Sequence, residues 1–264
     1  MRRLNIGERF SISPMRSYNE APWKSSADMN KPIKVAIVDN SIDPEVYKPV
    51  EHWSMFLRVP WESFRAPEGR LPDLASGFSH LILTGSEASI VERHPWVEGE
   101  VQFVRAALRQ GFPILGSCYG HQLLALALGG PERVRRSPRP EIGWLPIRIE
   151  HKSAILGEAG TAYAFSSHFD EVIGLGSEFR VLASTAGCAV QAFELPGRPV
   201  WGIQFHPEMD IPAAREFLAN IIRRAPANSD LFEKALRLGP RDSGLIRNIV
   251  GCFLAAARDS DGGK

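Results

Sequence analysis

The chain has 264 residues, of which 44% are hydrophobic and 23% are charged. These values are typical of globular proteins and exclude disorder along the whole chain. The length fits one large domain or two small ones. The 31 Lys and Arg residues balance the 30 Asp and Glu residues to a formal charge of +1, so no global field attracts nucleic acid or an anionic membrane.

Targeting and disulfide signals are absent from the sequence. No apolar run approaches the roughly 18 residues of a membrane-spanning helix, and the basic first residues never reach the apolar region of a signal peptide. The three cysteines, Cys118, Cys188 and Cys252, lack C-x-x-C spacing, which argues against a disulfide framework or a zinc ribbon. We therefore expect a reducing, cytoplasmic compartment.

Three short apolar runs in the first half predict buried parallel strands: IKVAIVD, HLILTG and FPILGS. An amphipathic helix separates the last two, with its apolar stripe formed by Val97, Val101, Val104 and Leu108. This order indicates a βαβ unit and thus an α/β fold with a doubly wound, mostly parallel open sheet flanked by helices.

The second half is richer in strands, and we expect a smaller antiparallel β portion there. The predicted strands are IGWLPIRIE, TAYAFSS, FRVLAST, AVQAFE and PVWGIQF. The basic run 133–140, RVRRSPRP, is interpreted as a solvated loop. An amphipathic helix follows the strands, with one face formed by Ala214, Phe217, Leu218, Ile221 and Ile222.

The two ends differ in texture from the middle. Residues 1–31 show no persistent period and are predicted to be a loosely ordered extension, 32–225 one domain, and 226–264 a helical extension. In the last segment Leu245, Ile249 and Phe253 recur at helical spacing. Such a stripe must be buried on the domain itself or against another chain. The sequence therefore leaves both a monomer and an oligomer as alternatives.

Cys118 carries the strongest functional signal. In PILGSCYGHQLLALALGG it lies between an apolar strand and an apolar helix and is flanked by Gly116 and Gly120. This is the G-x-nucleophile-x-G arrangement of a strained strand-to-helix turn, with Cys as the nucleophile. A helix that starts directly after the thiol favours its thiolate form. Cys188 and Cys252 have no such context and are interpreted as core residues.

A base for this nucleophile is offered by WGIQFHPEM. His206 ends an apolar strand, and Glu208 follows two residues later, beyond the fixed φ of Pro207. An imidazole with a carboxylate to orient it fits the nucleophile–base–orienter arrangement of covalent catalysis.

Together, GSCYGHQ and FHPE resemble the class I (triad-type) glutamine amidotransferases. Four further segments fall in the family's order: LILTGS, EIGW, SSHFDEV and FRVLASTAGCAVQAFE. The last of these and VWGIQFHPE are similar to the amidotransferase part of GMP synthases and their stand-alone relatives. The resemblance covers about 33–224 and implies the family's flavodoxin-like fold. Ser117 and Ser86 depart from the family pattern, which often has an aliphatic residue and a proline there.

The resemblance implies a role for each matching residue. Cys118 would be the nucleophile, His206 the base and Glu208 the orienter. Backbone N–H groups of Gly85 and Tyr119 would form the oxyanion hole. The α-amino and α-carboxylate end of the substrate would be held by Gln122 and by the backbone of Ser167, His168 and Phe169. Asp170 either contributes there or only caps a turn.

The implied reaction is cleavage of a γ-glutamyl amide through a Cys thioester, with release of ammonia or an amine. It needs no metal and no organic cofactor. Three functions stay open: a glutaminase that supplies a separate ammonia-accepting synthetase, a free-standing γ-glutamyl peptidase acting on a small molecule, and a non-catalytic binding module. The predicted ligand is accordingly glutamine or a γ-glutamyl compound, with neither nucleic acid nor membrane as a partner.

Overall fold

The computed structural model describes residues 32–224 and 229–259. The predicted extension 1–31 and residues 225–228 and 260–264 lie outside the described residues. The elements in chain order are β1 (Val35–Asp39), α1 (Pro49–Ser54), β2 (Trp61–Arg65), β3 (His80–Leu83), α2 (Val97–Arg109), β4 (Ile114–Ser117), α3 (Tyr119–Gly129), β5 (Val134–Ile149), β6 (Gly160–Val172), β7 (Arg180–Ser184), β8 (Ala192–Glu194), β9 (Val200–Ile203), α4 (Ile211–Arg224), α5 (Ser229–Arg237) and α6 (Ile246–Ala255).

One sheet runs through the described part of the chain, with its nine strands in the order β2-β1-β3-β4-β9-β8-β7-β5-β6. Strands β2, β1, β3, β4 and β9 pair in parallel. The remaining pairs, from β9 to β6, are antiparallel. The predicted α/β class is confirmed, and the antiparallel portion continues the same sheet rather than forming a separate one.

Both faces of the parallel half are covered, which explains its unbroken apolar strands. In β1, Ala36 and Val38 pack into a cluster with α2 and α3 on one face. Val35 and Ile37 point to the other face and pack in a second cluster with α1 and α6. Neighbouring side chains of one strand thus enter different cores, as the period of two requires.

The basic run RVRRSPRP is not a loop, contrary to the sequence prediction. From Val134 onward it forms the first half of β5, which pairs with β6. The register shifts between Arg136 and Glu141, where the two prolines, which cannot donate ladder hydrogen bonds, interrupt the pairing. The charges and prolines of this run led to the prediction of a loop. The strand tolerates these charges because carboxylates pair with two of its arginines: Arg135 with Glu171, and Arg136 with Glu92 and Asp170.

The C-terminal stripe packs on the domain itself. Ile249 and Phe253 of α6 are fully buried in the second cluster. His80 of β3 stacks edge-on against Phe253, with ring centroids 5.0 Å apart, and its Nε2 lies 3.1 Å from the carbonyl of Ala256. Of the two alternatives for this stripe, the structure therefore shows burial within the chain.

Within the described residues we find no helix with the length and hydropathy needed to cross a lipid bilayer.

Candidate active site

Cys118 lies on a strained turn between β4 and α3. Its φ of 49° and ψ of −102° are costly for a residue with a Cβ atom. Backbone atoms approach both glycines of the turn closely. A Cβ atom on Gly116 would lie 2.4 Å from the Gly120 carbonyl oxygen, and a Cβ atom on Gly120 would lie 2.1 Å from the Leu83 carbonyl oxygen. Both glycines of the motif are thus required by contact with backbone.

The thiol of Cys118 points to the start of α3 and to β6. The backbone N–H of Cys118 donates to Ile203 of β9 at 2.8 Å, and Sγ lies 3.8 Å from the carbonyl oxygen of Ser167. Because α3 begins at Tyr119, the positive dipole end of the helix lies directly after Cys118. In its first turn the N–H of Gly120 donates to the Thr84 carbonyl at 3.0 Å, which ties the turn to the end of β3.

His206 and Glu208 form a buried pair beside Cys118. The backbone N–H of His206 donates to Phe165 at 2.8 Å, which fixes the ring beyond the end of β9. Its Nδ1 lies 2.8 Å from Glu208 Oε1. Burial alone lowers the pKa of the imidazole, but the charge of Glu208 and the hydrogen-bonded Cys118 side chain outweigh burial and raise the pKa to about 10. The ring is therefore an imidazolium at neutral pH, held between the Glu208 carboxylate and the Cys118 side chain.

Two residues outside the predicted set support Glu208. The hydroxyl of Tyr47 donates to Glu208 Oε1 at 2.8 Å and lies 3.3 Å from His206 Nδ1. Ser117 Oγ lies 3.4 Å from Glu208 Oε2, so the departure from an aliphatic residue gives the buried carboxylate a polar neighbour. Burial raises the pKa of Glu208, but His206 and then the hydrogen bonds outweigh it and leave the pKa below its usual value.

Two loops bring Tyr47 and Gly85 to this pair. Glu87, which follows β3, accepts hydrogen bonds from the N–H groups of Ile42 at 3.0 Å and Asp43 at 3.3 Å, which fastens the segment leading to Tyr47. A Cβ atom on Gly85 would lie 2.8 Å from His206 Cε1 and 2.9 Å from the Tyr47 hydroxyl. Only glycine lets the backbone of this turn approach the base.

Ser86 stabilises the same turn. Its hydroxyl accepts a hydrogen bond from the N–H of Ala88 at 2.9 Å, a local side-chain-to-backbone bond typical of turns. The turn that has a proline in many relatives is thus closed here by a serine. Of the predicted oxyanion donors, Tyr119 follows Cys118 directly in the chain and Gly85 lies against the His206 ring. Their role stays a prediction.

A cavity opens over the thiol. It is lined by Tyr47, Ser86, Glu87, Ala88, Ser89, Cys118, Gln122, Arg136, Ser167, His168, Phe169, Asp170, His206, Met209, Phe217, Ile221 and Phe232. All four residues predicted to hold the substrate are among them, as are the nucleophile and the base. Glu208 supports the base from beneath, fully buried.

Some of the predicted substrate ligands are already engaged. The amide nitrogen of Gln122 donates to the Asp170 carbonyl at 3.0 Å and to Gln204 Oε1 at 3.1 Å, so this group shapes the cavity wall. The carboxylate of Asp170 accepts hydrogen bonds from Ser89 Oγ at 2.6 Å and from the Ile90 N–H at 3.0 Å. Asp170 therefore anchors the loop after β3, the capping alternative of the two.

His168 belongs to a second group of Cys, His and Glu side chains. Possible metal-ligand atoms of Glu141, His168 and Cys188 lie within 4.8 Å of one another. Among the described residues, no other three such side chains come this close together. His168 Nε2 lies 3.1 Å from Glu141 Oε2, whose carboxylate also accepts from Thr185 at 2.6 Å and Gln191 at 2.7 Å. These donors could hold a metal ion in principle, but hydrogen bonds within the protein already engage them.

The thiol of this second group is not a nucleophile candidate. Burial, joined by the charge of Glu141, raises the pKa of Cys188 to about 12, which keeps it protonated and unreactive. Cys188 Sγ donates to the Val190 carbonyl at 3.5 Å and does not reach the cavity. His121, next to the elbow, is likewise structural: burial lowers its pKa to about 3, and it packs on Phe193 with ring centroids 4.8 Å apart.

The sequence analysis missed several cavity residues, and three of them, Tyr47, Arg136 and Phe232, come from distant segments. Tyr47 lies in a loop without a motif, Arg136 lies in the strand mistaken for a loop, and Phe232 lies in the C-terminal extension. Their only signal in the sequence is the residue type itself, because each reaches the cavity through tertiary packing.

Comparison with known proteins assigns the family. The profile described as "Glutamine amidotransferase class-I" matches residues 55–224. The chain is 35% identical over 209 residues to the GMP synthase [glutamine-hydrolyzing] of Aeropyrum pernix, covering 77% of this chain and 38% of that protein. It is 35% identical over 138 residues to one subunit of the GMP synthase [glutamine-hydrolyzing] of Sulfurisphaera tokodaii, covering 52% of this chain and 71% of its relative.

The same fold occurs in a solved structure. A glutamine amidotransferase from Thermotoga maritima superposes with a TM-score of 0.68 at 19% identity, covering 85% of this chain and 99% of that one. Fold, profile and sequence identity agree with the resemblance carried by GSCYGHQ and FHPE. The chain belongs to the class I glutamine amidotransferase family.

Proposed function

We propose that the chain hydrolyses a γ-glutamyl amide through a covalent thioester on Cys118, with His206 as the proton donor and Glu208 as its orienter. One observation carries the proposal: the strained elbow of Cys118 faces the same cavity as the His206 ring, whose Nδ1 is held 2.8 Å from Glu208. A nucleophile, a base and an orienter within reach of one another are the signature of nucleophilic catalysis.

The first step is attack of the Cys118 thiolate on the γ-carbonyl carbon of the substrate. An S–C bond forms and the carbonyl electron pair moves to oxygen, where the N–H groups of Gly85 and Tyr119 would stabilise it. Each such preorganised donor is worth about 2.7–4 kcal/mol of transition-state stabilisation in other enzymes. The raised pKa of His206 suits this step, since the imidazolium keeps the thiolate paired before attack.

The second step is collapse of the tetrahedral intermediate. The C–N bond breaks, and the Nε2 proton of His206 goes to the leaving nitrogen, which departs as ammonia when glutamine is the substrate. His206, now neutral, removes a proton from a water molecule that attacks the thioester. Glutamate is released, and the thiolate and imidazolium are restored.

The fate of the ammonia is the second part of the proposal. The relative from Sulfurisphaera tokodaii is, by its name, one subunit of a glutamine-hydrolysing synthase. This chain spans 38% of the GMP synthase from Aeropyrum pernix. A glutaminase that delivers ammonia to a separate synthetase fits the first of these observations.

Glutamine hydrolysis by the isolated chain tests the proposal. We expect glutamate release that a diazo-ketone analogue of glutamine abolishes, with mass spectrometry locating the adduct on Cys118 and not on Cys188 or Cys252. Equal labelling of the three thiols, or glutamate release by a Cys118→Ala chain, would contradict it. Addition of a candidate synthetase then measures whether hydrolysis is stimulated.

A further inference from the structure

The cavity over Cys118 has an apolar wall that a glutamine site does not require. The wall is formed by Phe169, Met209, Phe217, Ile221 and Phe232. These side chains pack in one cluster between β6, α4 and α5. Phe169, Phe217 and Ile221 are only half-buried, so they present carbon surface to the cavity. Ammonia, the product leaving from glutamine, has no carbon to place there.

Part of this wall comes from outside the family profile. The profile ends at residue 224, and Phe232 lies on α5, which begins at Ser229. Phe232 is buried, with its ring centroid 6.2 Å from that of Phe169. The helix fits closely on β5, where a Cβ atom on Gly143 would lie 3.1 Å from that of Ala235. A docked helix of the C-terminal segment therefore completes the cavity.

Resting on the first part of the proposed function, γ-glutamyl amide hydrolysis on Cys118, and in place of ammonia delivery to a synthetase, we infer that the wall is a subsite for the amine half of the substrate. The preferred substrates are then γ-glutamyl amides of apolar amines. The glutamyl half is the same as in glutamine. The nitrogen carries a hydrocarbon group that lies against Phe169, Phe217 and Phe232.

The wall lines the same cavity as the His206 ring, which protonates the leaving amine in the proposed reaction. The leaving nitrogen takes its proton from His206, so the amine lies next to that ring. Phe217 packs edge-on against Tyr47 with ring centroids 5.9 Å apart, and Tyr47 packs on His206 at 5.6 Å. Met209 follows His206 by three residues, and its N–H lies 3.4 Å from the His206 carbonyl oxygen. The apolar surface therefore begins beside the proton donor.

The opposite side of the cavity is polar and suits the charged end of the glutamyl group. Ser89 and Arg136 both contact the Asp170 carboxylate, at 2.6 Å and 3.2 Å. The Gln122 amide is bonded to the Asp170 backbone. The polar lining of the cavity is concentrated around these residues, and the apolar wall offers no hydrogen-bonding side chain to an α-ammonium or an α-carboxylate. The cavity thus divides into a polar half for the glutamyl group and an apolar half for the amine.

Matched amides test the inference with the full chain. The substrates are glutamine, γ-glutamyl-methylamide and γ-glutamyl-(3-methylbutyl)amide, because the two alkylamines have similar basicity and differ only in hydrocarbon. Glutamate release gives kcat/KM for each. We expect the 3-methylbutyl amide to exceed the methylamide by about tenfold or more, the range that added methylenes bring in an apolar pocket.

Substitutions in the wall identify the subsite. We expect Phe232→Ala to lower the ratio of kcat/KM between the two alkylamides about tenfold. Ile221→Ala, at a half-buried position, provides a second variant should loss of the buried ring unfold the chain. Phe103→Ala is the control, since Phe103 lies on α2 and packs in the cluster with α3. In this variant the ratio of kcat/KM between the two alkylamides should equal that of the unchanged chain.

The outcomes separate the inference from the proposed function. Cleavage of glutamine and methylamide with no gain from the larger alkyl group overturns the inference and leaves the proposed function standing. A gain that persists in both wall variants also overturns it. If none of the three amides is cleaved, the proposed function fails and the inference with it.

Discussion

The chain contains two groups of one cysteine, one histidine and one glutamate, and they differ in almost every physical respect except residue type. In the elbow group, Cys118 faces a cavity and His206 is paired with Glu208 at 2.8 Å. In the buried group, His168 is paired with Glu141 at 3.1 Å beside Cys188. A cysteine, a histidine and a glutamate in proximity are therefore not sufficient to define an active site.

The backbone makes the difference. Cys118 has a φ of 49°, a strained conformation, and lies directly before α3 in the lining of the cavity. The raised pKa of His206 and the raised pKa of Cys188, to about 10 and about 12, describe opposite environments. The first is a histidine kept protonated by Glu208 beside the cavity, and the second is a neutral thiol within a hydrogen-bonded network next to β6.

Removal of each thiol is the strongest way to break this comparison. We expect Cys118→Ala to lower glutamine hydrolysis by at least about 10³-fold, because no other group can form the thioester. Cys188→Ala should retain hydrolysis within about twofold and lower the free energy of unfolding by about 1 kcal/mol, as a small core truncation does. Glutamate release and chemical denaturation measure the two effects. A Cys188→Ala chain that loses hydrolysis while remaining folded would reverse the assignment.

Neutralising each carboxylate gives the next largest effect. Glu208→Gln keeps the shape of the orienter but removes its charge, and we expect kcat for glutamine to fall about 10²- to 10³-fold, less than in a His206→Ala chain. Glu141→Gln should instead lower stability by about 1–3 kcal/mol, since three donors lose a charged acceptor, with kcat reduced less than about tenfold. Steady-state kinetics and thermal unfolding distinguish the two. Equal losses of kcat would show that the groups act together.

The pH dependence sharpens the same comparison. A histidine pKa raised to about 10 means that the imidazolium, and the stability it contributes, is fully present below its ordinary pKa near 6.5 and is lost as the pH rises through about 10. We expect the alkaline limb of kcat/KM near that pH. Glu208→Gln removes the largest charge that raises the pKa, so its limb should move to lower pH, whereas Glu141→Gln should leave it in place. An unchanged limb in Glu208→Gln would assign the titration to another group.

Much of the fold and of the candidate site can be predicted from the sequence, for reasons that are local. The apolar runs of β1, β3 and β4 and the stripe of α2 reflect burial on both faces of a parallel sheet. Cys118 stands out because Gly116 and Gly120 beside it are needed for close backbone contacts. His206 and Glu208 are neighbours in sequence, so their pairing is visible in a single motif.

The remaining features depend on contacts between distant segments. Tyr47 lies 161 residues before the carboxylate that it supports, and Phe232 enters the cavity from a helix after the domain's last predicted helix. The strand at 134–140 is not recognisable from its charged sequence, because the carboxylates that pair with Arg135 and Arg136 (Glu92, Asp170 and Glu171) come from other segments. No period or motif in one segment contains information about its partner in another.

Tyr47 gives the smallest expected effect and the finest test of the elbow group. Tyr47→Phe keeps the ring packing on His206 and Phe217 and removes the hydroxyl that donates to Glu208 at 2.8 Å. Loss of one such hydrogen bond, about 1–1.5 kcal/mol, should lower kcat roughly five- to tenfold.

Tyr47 acts here as a positioning residue, so the fall should appear in kcat more than in KM. The hydroxyl also helps to keep the pKa of Glu208 low, and its removal should move the acid limb of kcat/KM to higher pH. Tyr163→Phe is the matched control, because that hydroxyl contacts Arg241 on the surface and should change neither value. A Tyr47→Phe chain with normal kcat and an unmoved acid limb would show that the hydroxyl only packs beside the pair, and that His206 alone is sufficient to hold Glu208 in place.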